Sequence, residues 1–246
     1  MIVNEIIVKT ALSRSSLPDL VYALNPYRGC EHACIYCYAP SVLHERRQWG
    51  EFVDVKANLP DILRKEIEHK EKGAVGIGTV TDAYQPIEKK YKITRKCLEI
   101  LLGKDWPITI QTKSDLVLRD LDIIERFSEK DIGFTITTLD ENASRTFEPH
   151  ASPIERRLNA LKIIKERGIS TWVFLGPVIP ELLGDTLGDL IKKLSEIKID
   201  RLLYDKLNIK PGMKGFQQYE GTDYGIYEKR IKELCEDYGL ACKSAF

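Results

Sequence analysis

This sequence predicts an α/β fold of parallel strands with helices between them, and three observations lead there. Helix and strand patterns alternate from residue 58 onward. Glycines and prolines punctuate them at the ends. Two strands carry one apolar face and one small or polar face. Repeated β–α units give parallel strands with right-handed crossovers. No linker, low-complexity run or internal repeat divides the 246 residues, so a single domain over 1–246 is the expectation.

The elements follow in order. The opening MIVNEIIVKT reads as a short strand or arm, and residues 21–24 as the first strand of the main sheet. A helix is predicted over 60–72, with Pro60 in its first turn and Gly73 as its stop. Strand 74–80 follows, then a helix through 95–102 closed by Gly103, then strand 107–112. LRDLDIIERFSEK is a predicted helix and 132–138 a strand. The clearest helix is 152–168: Ser152 as N-cap, Pro153 at the first position, Glu155 in a capping box and Gly168 as stop. Strand 171–179, helix 186–197, strand 201–209 and a last helix over 226–238 complete the pattern.

That makes six strands, arranged either as a barrel or as an open doubly wound sheet. Strand parity favours the barrel. Ile108 and Ile110 point one way, Thr109, Gln111 and Lys113 the other; Ile132, Phe134 and Ile136 share a face opposite Gly133, Thr135 and Thr137. A doubly wound sheet is covered by helices on both faces and would be apolar on both. A polar inner face suits a barrel whose lumen holds a large polar ligand at the strand C-termini.

Hydrophobic residues make up 43% of the chain, enough for one sizeable core. Its 37 basic and 37 acidic side chains cancel, which argues against a dedicated nucleic-acid or membrane-surface binder but leaves a nucleic-acid substrate possible. No apolar run approaches the roughly 18 residues of a membrane span, and Glu5 interrupts an opening that has no basic leader. The expectation is a cytoplasmic protein. In that reducing compartment six cysteines do not read as three disulfides, and clustered ones point to metal or catalysis.

Cys30, Cys34 and Cys37 lie in NPYRGCEHACIYCYAP, a C-x-x-x-C-x-x-C spacing. Thiolates are soft ligands suited to iron–sulfur clusters. Three on one short loop can hold three irons of a 4Fe–4S cubane and leave the fourth iron open to substrate. Other readings exist. The offsets also trace one helix face, but Pro26, Gly29 and Pro40 bracket the segment, and Arg28, Glu31 and His32 are poor core material. A structural zinc site needs a fourth ligand, for which His32 is nearest. An electron-transfer cluster needs a fourth ligand too, and no nearby cysteine supplies it. Cys97 lies at helical spacing with Ile93, Ile100 and Leu101 and reads as core; Cys235 and Cys242 read as one buried and one incidental residue.

The cysteine spacing, with aromatic Tyr36 just before the third cysteine, resembles the signature of the radical S-adenosylmethionine superfamily. The longer string resembles its spore photoproduct lyase-like branch, as do TDAYQPIE, TKSDLVLRD, TITTLDE, FEPHASPIERRLNAL and GPVIP. The resemblance implies a partial (β/α)6 TIM-type barrel, with a core over about residues 20–212 and short N- and C-terminal extensions. It implies a 4Fe–4S cluster in the loop after the first strand and S-adenosylmethionine as the second cofactor. An external one-electron reductant of flavodoxin or ferredoxin type would supply the electron that cleaves the cofactor to methionine and a 5′-deoxyadenosyl radical. That radical would take hydrogen from a substrate the sequence does not identify.

The resemblance also implies site residues. Lys113 would meet the cofactor carboxylate, Thr81 and Asp82 its amino group, and Thr137 its ribose; TDAY stands here where many members have Gly-Gly-Glu. Arg157, with Arg156 and Glu148 as weaker candidates, sits where an arginine reaches a carboxylate. Tyr36 and Tyr38 flank the last cysteine, at positions linked in the lyase to hydrogen transfer. The lyase's cysteine hydrogen donor has no counterpart in residues 73–86. This chain is therefore expected to be a relative of the lyase with a different or differently quenched substrate.

Overall fold

The computed structural model describes residues 1–210, 213 and 215–245; the expected barrel boundary near residue 212 falls outside them. The strands are β1 (Ile2–Ile6), β2 (Leu12–Arg14), β3 (Tyr22–Leu24), β4 (Tyr27–Arg28), β5 (Phe52–Lys56), β6 (Val75–Ile77), β7 (Ile108–Thr112), β8 (Lys130–Thr135), β9 (Ser170–Val178), β10 (Arg201–Lys206) and β11 (Cys242–Ser244). The helices are α1 (Ala39–Val42), α2 (Leu59–Glu66), α3 (Glu88–Tyr91), α4 (Ile93–Leu102), α5 (Leu121–Ile124), α6 (Glu141–Phe147), α7 (Ile154–Glu166), α8 (Pro180–Leu183), α9 (Leu187–Ile197) and α10 (Tyr224–Asp237).

The main sheet has eight strands in the order β2-β3-β6-β7-β8-β9-β10-β11. From β3 to β11 every neighbour is parallel, and only β2 runs antiparallel, against β3. The strand order never reverses, so the switch point of a doubly wound sheet is missing. No pairing joins β2 to β11 among the described residues, so the barrel is partial and open at one side. A second sheet, β1-β5-β4, is attached through the first turns of the chain.

One apolar core lies between the strands and the surrounding helices. Ile108, Ile110, Ile132, Phe134, Val173, Leu175 and Leu202 meet Leu98, Leu101, Leu158, Leu161, Leu190 and Leu194 there, together with Val53 and Val55 of the second sheet. Truncating one such leucine to alanine costs about 2–5 kcal/mol. On the opposite, inner face stand Thr109, Gln111, Thr135 and Arg201, as parity predicts, with Trp172 laid over Gly133 and Leu20 over Gly76. A Cβ at Gly133 would meet the indole at 2.2 Å, so glycine there makes room for the tryptophan.

Four expectations change. The 60–72 helix ends at Glu66, whose carboxylate accepts the Ala11 and Leu12 amides at 3.1 and 2.8 Å while Lys70 Nζ donates to the Leu12 carbonyl; the chain turns off to seat β2. Strand 74–80 shortens to β6 because Gly78 adopts φ +84°. The 118–130 helix becomes a 3-10 turn, Asp115–Asp120, followed by α5, and Asp120 is buried against Arg95 and Arg119. Ser152 does not cap α7: its hydroxyl donates to Asp115 at 2.7 Å, Pro153 takes the cap position, and Glu155 is drawn to Lys193 instead of a capping box.

Candidate active site

The cysteine loop leaves β3 and crosses the C-terminal rim of the barrel, where parallel barrels carry their chemistry. β4 anchors its start by pairing with β5, and the Tyr27 hydroxyl donates to the buried Glu88 carboxylate. Gly29 follows with φ +88°; a Cβ there would lie 2.3 Å from the Phe52 carbonyl oxygen, so only glycine fits.

From this point the loop is held by side chains of the 81–88 segment. Thr81 Oγ1 donates to the Gly29 carbonyl at 2.7 Å, and Gln85 Nε2 donates to the Gly29 carbonyl and to Thr81 Oγ1 at 3.3 and 2.9 Å. Gln85 Oε1 accepts the Glu31 amide at 2.8 Å, and the Glu31 carboxylate accepts the Ile87 amide. His32 Nδ1 lies 3.3 Å from Asp82 Oδ2. From the other side, the Ile35 amide donates to the Phe147 carbonyl at 3.0 Å and the His150 amide to the His32 carbonyl at 3.3 Å. The bonds to the Gly29, Phe147 and His32 carbonyls and from the Glu31 and Ile87 amides satisfy backbone groups that burial would otherwise leave unpaired.

This clamp places Cys30 and Cys34 in the interior and Cys37 half-buried. Burial pushes all three thiols up, Cys34 to about 12 even with Lys113 and Arg157 drawing it down. They favour the neutral thiol until a metal takes them as thiolates. Among the described residues no three Cys, His, Asp or Glu side chains converge on a single ion. His32 is turned to Asp82 and would be an indirect fourth ligand. At Cys37 burial raises the thiol while the Ala39 backbone, Lys113 and the Trp49 indole draw it back down, so the loop favours the thiolate that a metal takes more at this cysteine than burial alone would allow.

Beneath the loop lies a buried charge cluster. Arg157, 1% exposed, pairs with Glu148 at 2.5 Å and donates to the carbonyls of Ser152 and Thr135 at 2.6 and 3.1 Å. The Tyr36 hydroxyl donates to the other Glu148 oxygen. Burial opposes the Glu148 charge, but Arg157 and Lys113 outweigh it and hold the carboxyl below its usual range. Lys113 Nζ stands 5.5 Å over the Tyr36 ring. Burial opposes its charge too; Cys34 and Glu148 outweigh it and raise its pKa.

The predicted site residues therefore gather around the loop, but not all are free to bind. Thr81 spends its hydroxyl on Gly29 and Gln85. Asp82 accepts from the Tyr84 amide, the Thr112 hydroxyl and the Lys113 amide at 2.8 Å each and faces His32. Burial works against its charge, yet His32 and these donors hold it at about 2. Thr81 and Asp82 thereby tie the cysteine loop to the end of β7. Arg157 is committed to Glu148 and Tyr36 is sealed in the interior, so both support the loop from below. Strand 132–138 ends early, at Thr135, so Thr137 lies two residues beyond β8 and is buried there; Tyr38 stands at the rim, 45% exposed, and its hydroxyl donates to the Thr79 carbonyl. Arg156 points outward to Asp115.

Sequence reasoning missed Gln85 and Glu88, which lie within the TDAYQPIE stretch and are completely buried. Cys97 is buried in the helix layer as predicted. Cys235 is buried on α10 and Cys242 half-buried on β11; burial and the neighbouring Cys242 push the Cys235 thiol up.

The far wall differs in character. Gln111 Nε2 donates to Thr135 Oγ1 at 3.1 Å. The Trp172 indole and Arg201 donate to Asp131 at 3.3 and 2.6 Å and occupy the lower lumen. Higher up, the Phe174 ring lies across Gly176, where a Cβ would meet it at 2.4 Å. The register between β9 and β10 shifts between Tyr204 and Lys206, beside that glycine, and half-buried Asp205 sits at this bulge with Asn208 3.0 Å away.

The sequence model of the radical SAM superfamily matches residues 24–194, from β3 and the cysteine loop into α9. The chain belongs to the radical SAM superfamily. A protein of uncharacterised function from Methanocaldococcus jannaschii is 40% identical over 178 residues, 71% of this chain and 67% of that relative. One from Acidianus two-tailed virus is 31% identical over 238 residues, 89% of this chain and 76% of the relative. Among solved structures, spore photoproduct lyase complexed with dinucleoside spore photoproduct superposes with a TM-score of 0.76 at 18% identity, over 99% of this chain and 82% of the lyase. Streptococcus suis SuiB bound to S-adenosylmethionine gives 0.64 at 18% identity, over 90% of this chain and 49% of SuiB. At such identities the likeness is one of fold: the partial barrel that parity and strand order indicate. Among the described residues no helix is long and apolar enough to cross a membrane.

Proposed function

We propose that this protein is a radical S-adenosylmethionine enzyme whose 4Fe–4S cluster is held by Cys30, Cys34 and Cys37. The observation that carries this reading is the clamped three-thiol loop at the barrel rim, with cationic Lys113 beside Cys34 on the lumen side. When bound there, the cluster and S-adenosylmethionine would supply reductive cleavage of the sulfonium, the source of a 5′-deoxyadenosyl radical.

The chain's own residues do the rest. Lys113 binds the cofactor carboxylate as a point charge in a site with little competing water. Thr137, two residues beyond β8, faces the ribose. Thr81, Asp82, Gln85, Tyr36, Glu148 and Arg157 are positioning residues that fix the loop, so the cluster is presented in one geometry. Tyr38, at the rim, is the tyrosine placed to meet substrate. An external one-electron reductant of flavodoxin or ferredoxin type reduces the cluster, and the oxygen sensitivity of such clusters fits a reducing, cytoplasmic setting.

The substrate is not spore photoproduct in this reading. Residues 73–86 contain no cysteine, and Cys97 is fully buried on the helix side of the sheet, away from the lumen. The shared fold does not choose a substrate: one similar structure holds a dinucleoside photoproduct, and SuiB has been solved with a precursor peptide. The test is anaerobic. Cluster-loaded protein with reductant and S-adenosylmethionine should release 5′-deoxyadenosine, and should do so without repairing DNA that carries the thymine photoproduct. Multiple turnovers of repair would overturn the substrate statement. A colourless protein retaining zinc and releasing no 5′-deoxyadenosine would overturn the enzyme reading.

A further inference from the structure

We propose that the exposed lysines of α3 and its exit, Lys89, Lys90 and Lys92, form the docking surface for the acidic one-electron carrier that reduces the cluster. The inference rests on the radical-enzyme reading above and assigns its reductant a place on this chain.

The charge is concentrated in one short stretch. No acidic side chain stands between Glu88 and Glu99, whereas Lys89, Lys90, Lys92, Arg95 and Lys96 all fall there. Arg95 is held by Asp120 and Asp122 at 2.9 and 2.8 Å. Lys89, Lys90 and Lys92 are exposed, and none has a carboxylate partner among the described residues. Lys90 lies 5.1 Å over the ring of half-buried Tyr91. The adjacent acid, Glu88, is turned inward to Arg119 and Tyr27 and has no exposed surface. Other surface lysines are neutralised: Lys104 by Glu68, Lys193 by Glu155 and Lys232 by Glu228, at 2.9, 2.7 and 2.8 Å. Lys92 takes φ +53° where α3 turns into α4, a conformation that glycine or asparagine adopts more readily, so backbone geometry does not select a lysine there.

The position of the patch relative to the cysteine loop and its charge together name the partner. α3 continues directly from the 81–88 segment that clamps the loop. Gln85 Oε1 accepts the Glu31 amide at 2.8 Å, the Glu31 carboxylate accepts the Ile87 amide, and Ile87 is the residue before α3. Cys30 is therefore joined to the start of α3 by its neighbour Glu31 and one hydrogen bond. A carrier seated on α3 stands beside the Cys30 end of the loop. With 37 basic and 37 acidic side chains the chain has no net charge to attract a protein from a distance, so encounter depends on local patches. Three unpaired cations beside the loop fit a carrier of flavodoxin type with acidic side chains around its flavin. Electron-transfer complexes are small and transient, and such charge serves their rate of encounter more than their affinity. In the step itself the flavin hydroquinone gives one electron and becomes the semiquinone, and the oxidised cluster takes that electron.

The test uses the full chain, reconstituted anaerobically, with a purified acidic flavodoxin in its hydroquinone form as the probe and cluster reduction followed by stopped-flow absorbance. Combining Lys89→Gln, Lys90→Gln and Lys92→Gln should lower the second-order rate about tenfold at low salt, the lower end of what electrostatic steering supplies. Lys89→Glu, Lys90→Glu and Lys92→Glu together should lower it further. Added salt should slow the wild type and leave the glutamine variant nearly unchanged. Photoreduced deazaflavin, which needs no docking surface, should reduce the wild type and the variants equally. Docking is also read without electron transfer: carbodiimide links from flavodoxin carboxylates, mapped by mass spectrometry, should fall on Lys89, Lys90 or Lys92. A glutamine variant reduced by flavodoxin at the wild-type rate at low salt, or links confined to other lysines, overturns the proposal. So does a variant that keeps its rate with flavodoxin and loses binding of a single-stranded oligonucleotide, which makes the patch a nucleic-acid surface. If the variants do not take up the cluster, the salt dependence and the links of the wild type decide. A wild type that holds no cluster, or one that deazaflavin does not reduce, is a different result and removes the enzyme reading itself.

Discussion

The two sides of the barrel rim treat their polar groups in opposite ways. On the side of β3, β6 and β7, the groups around the cysteine loop are spent on one another: Thr81 and Gln85 on Gly29, Asp82 on three donors, Glu148 on Arg157 and Tyr36. On the side of β9 and β10, Phe174 lies open across Gly176 and Asp205 has a single side-chain amide, Asn208, beside it. The first side is built to hold a loop still. The second leaves surface for a ligand that varies. A chemistry shared across a superfamily needs the first kind of wall, and a substrate particular to one member needs the second.

The largest effect that could break this contrast lies at the cysteines. Cys30→Ala, Cys34→Ala or Cys37→Ala should each abolish the cluster or leave it inactive, whereas Cys97→Ala, Cys235→Ala and Cys242→Ala should keep its resonance signal. A triple variant at 97, 235 and 242 that loses the cluster, beside a Cys30 variant that keeps it, would reverse the assignment.

Next comes the charge pair beneath the loop. Arg157→Met leaves Glu148 buried and unpaired, and should cost about 3–5 kcal/mol in denaturant unfolding of the metal-free protein. Replacing both, with Glu148→Gln added, should recover part of that loss, because the uncompensated charge is gone. If Arg157→Met alone unfolds at the wild-type midpoint, the clamp is not braced from below as described.

Lys113 separates binding from assembly. Lys113→Ala should keep the cluster and weaken S-adenosylmethionine by about 1.5–3 kcal/mol, the range for a charge-assisted hydrogen bond, by calorimetry on the loaded protein. An unchanged dissociation constant would place the carboxylate elsewhere. The smallest effect is expected at the lumen floor. Asp131→Asn disturbs a part-exposed pair with Arg201, so stability should change by at most about 1 kcal/mol, with the cluster and cofactor affinity untouched. A large loss of cofactor binding in that variant would mean the floor belongs to the first wall.

The same contrast governs what could be read from the sequence. The six-strand order and polar lumen were legible because Ile108, Ile110, Ile132 and Phe134 alternate with small or polar neighbours over uninterrupted strands. The cysteine loop was legible because three ligands sit within one short segment. The bracing roles were not: Thr81 and Asp82 look free until Gly29 and the ends of β6 and β7 are brought together in space. Ser152 looked like a helix cap because capping is a local signal, and a longer-range bond to Asp115 outcompeted it. Helices 60–72 and 118–130 were overextended for the same reason, as buried pairs with distant segments cut them short. The far wall carries no local signature.

The most direct measurement of the central claim is the resonance spectrum of the reduced, anaerobically reconstituted protein before and after addition of S-adenosylmethionine. The account predicts about four irons and four sulfides per chain, a 4Fe–4S signal that changes on adding the cofactor because its amino and carboxylate groups take the open iron, and loss of that change in Lys113→Ala at the same cofactor concentration. A cluster whose signal is indifferent to S-adenosylmethionine at any concentration, or a protein that binds zinc at these cysteines and no iron, would contradict it.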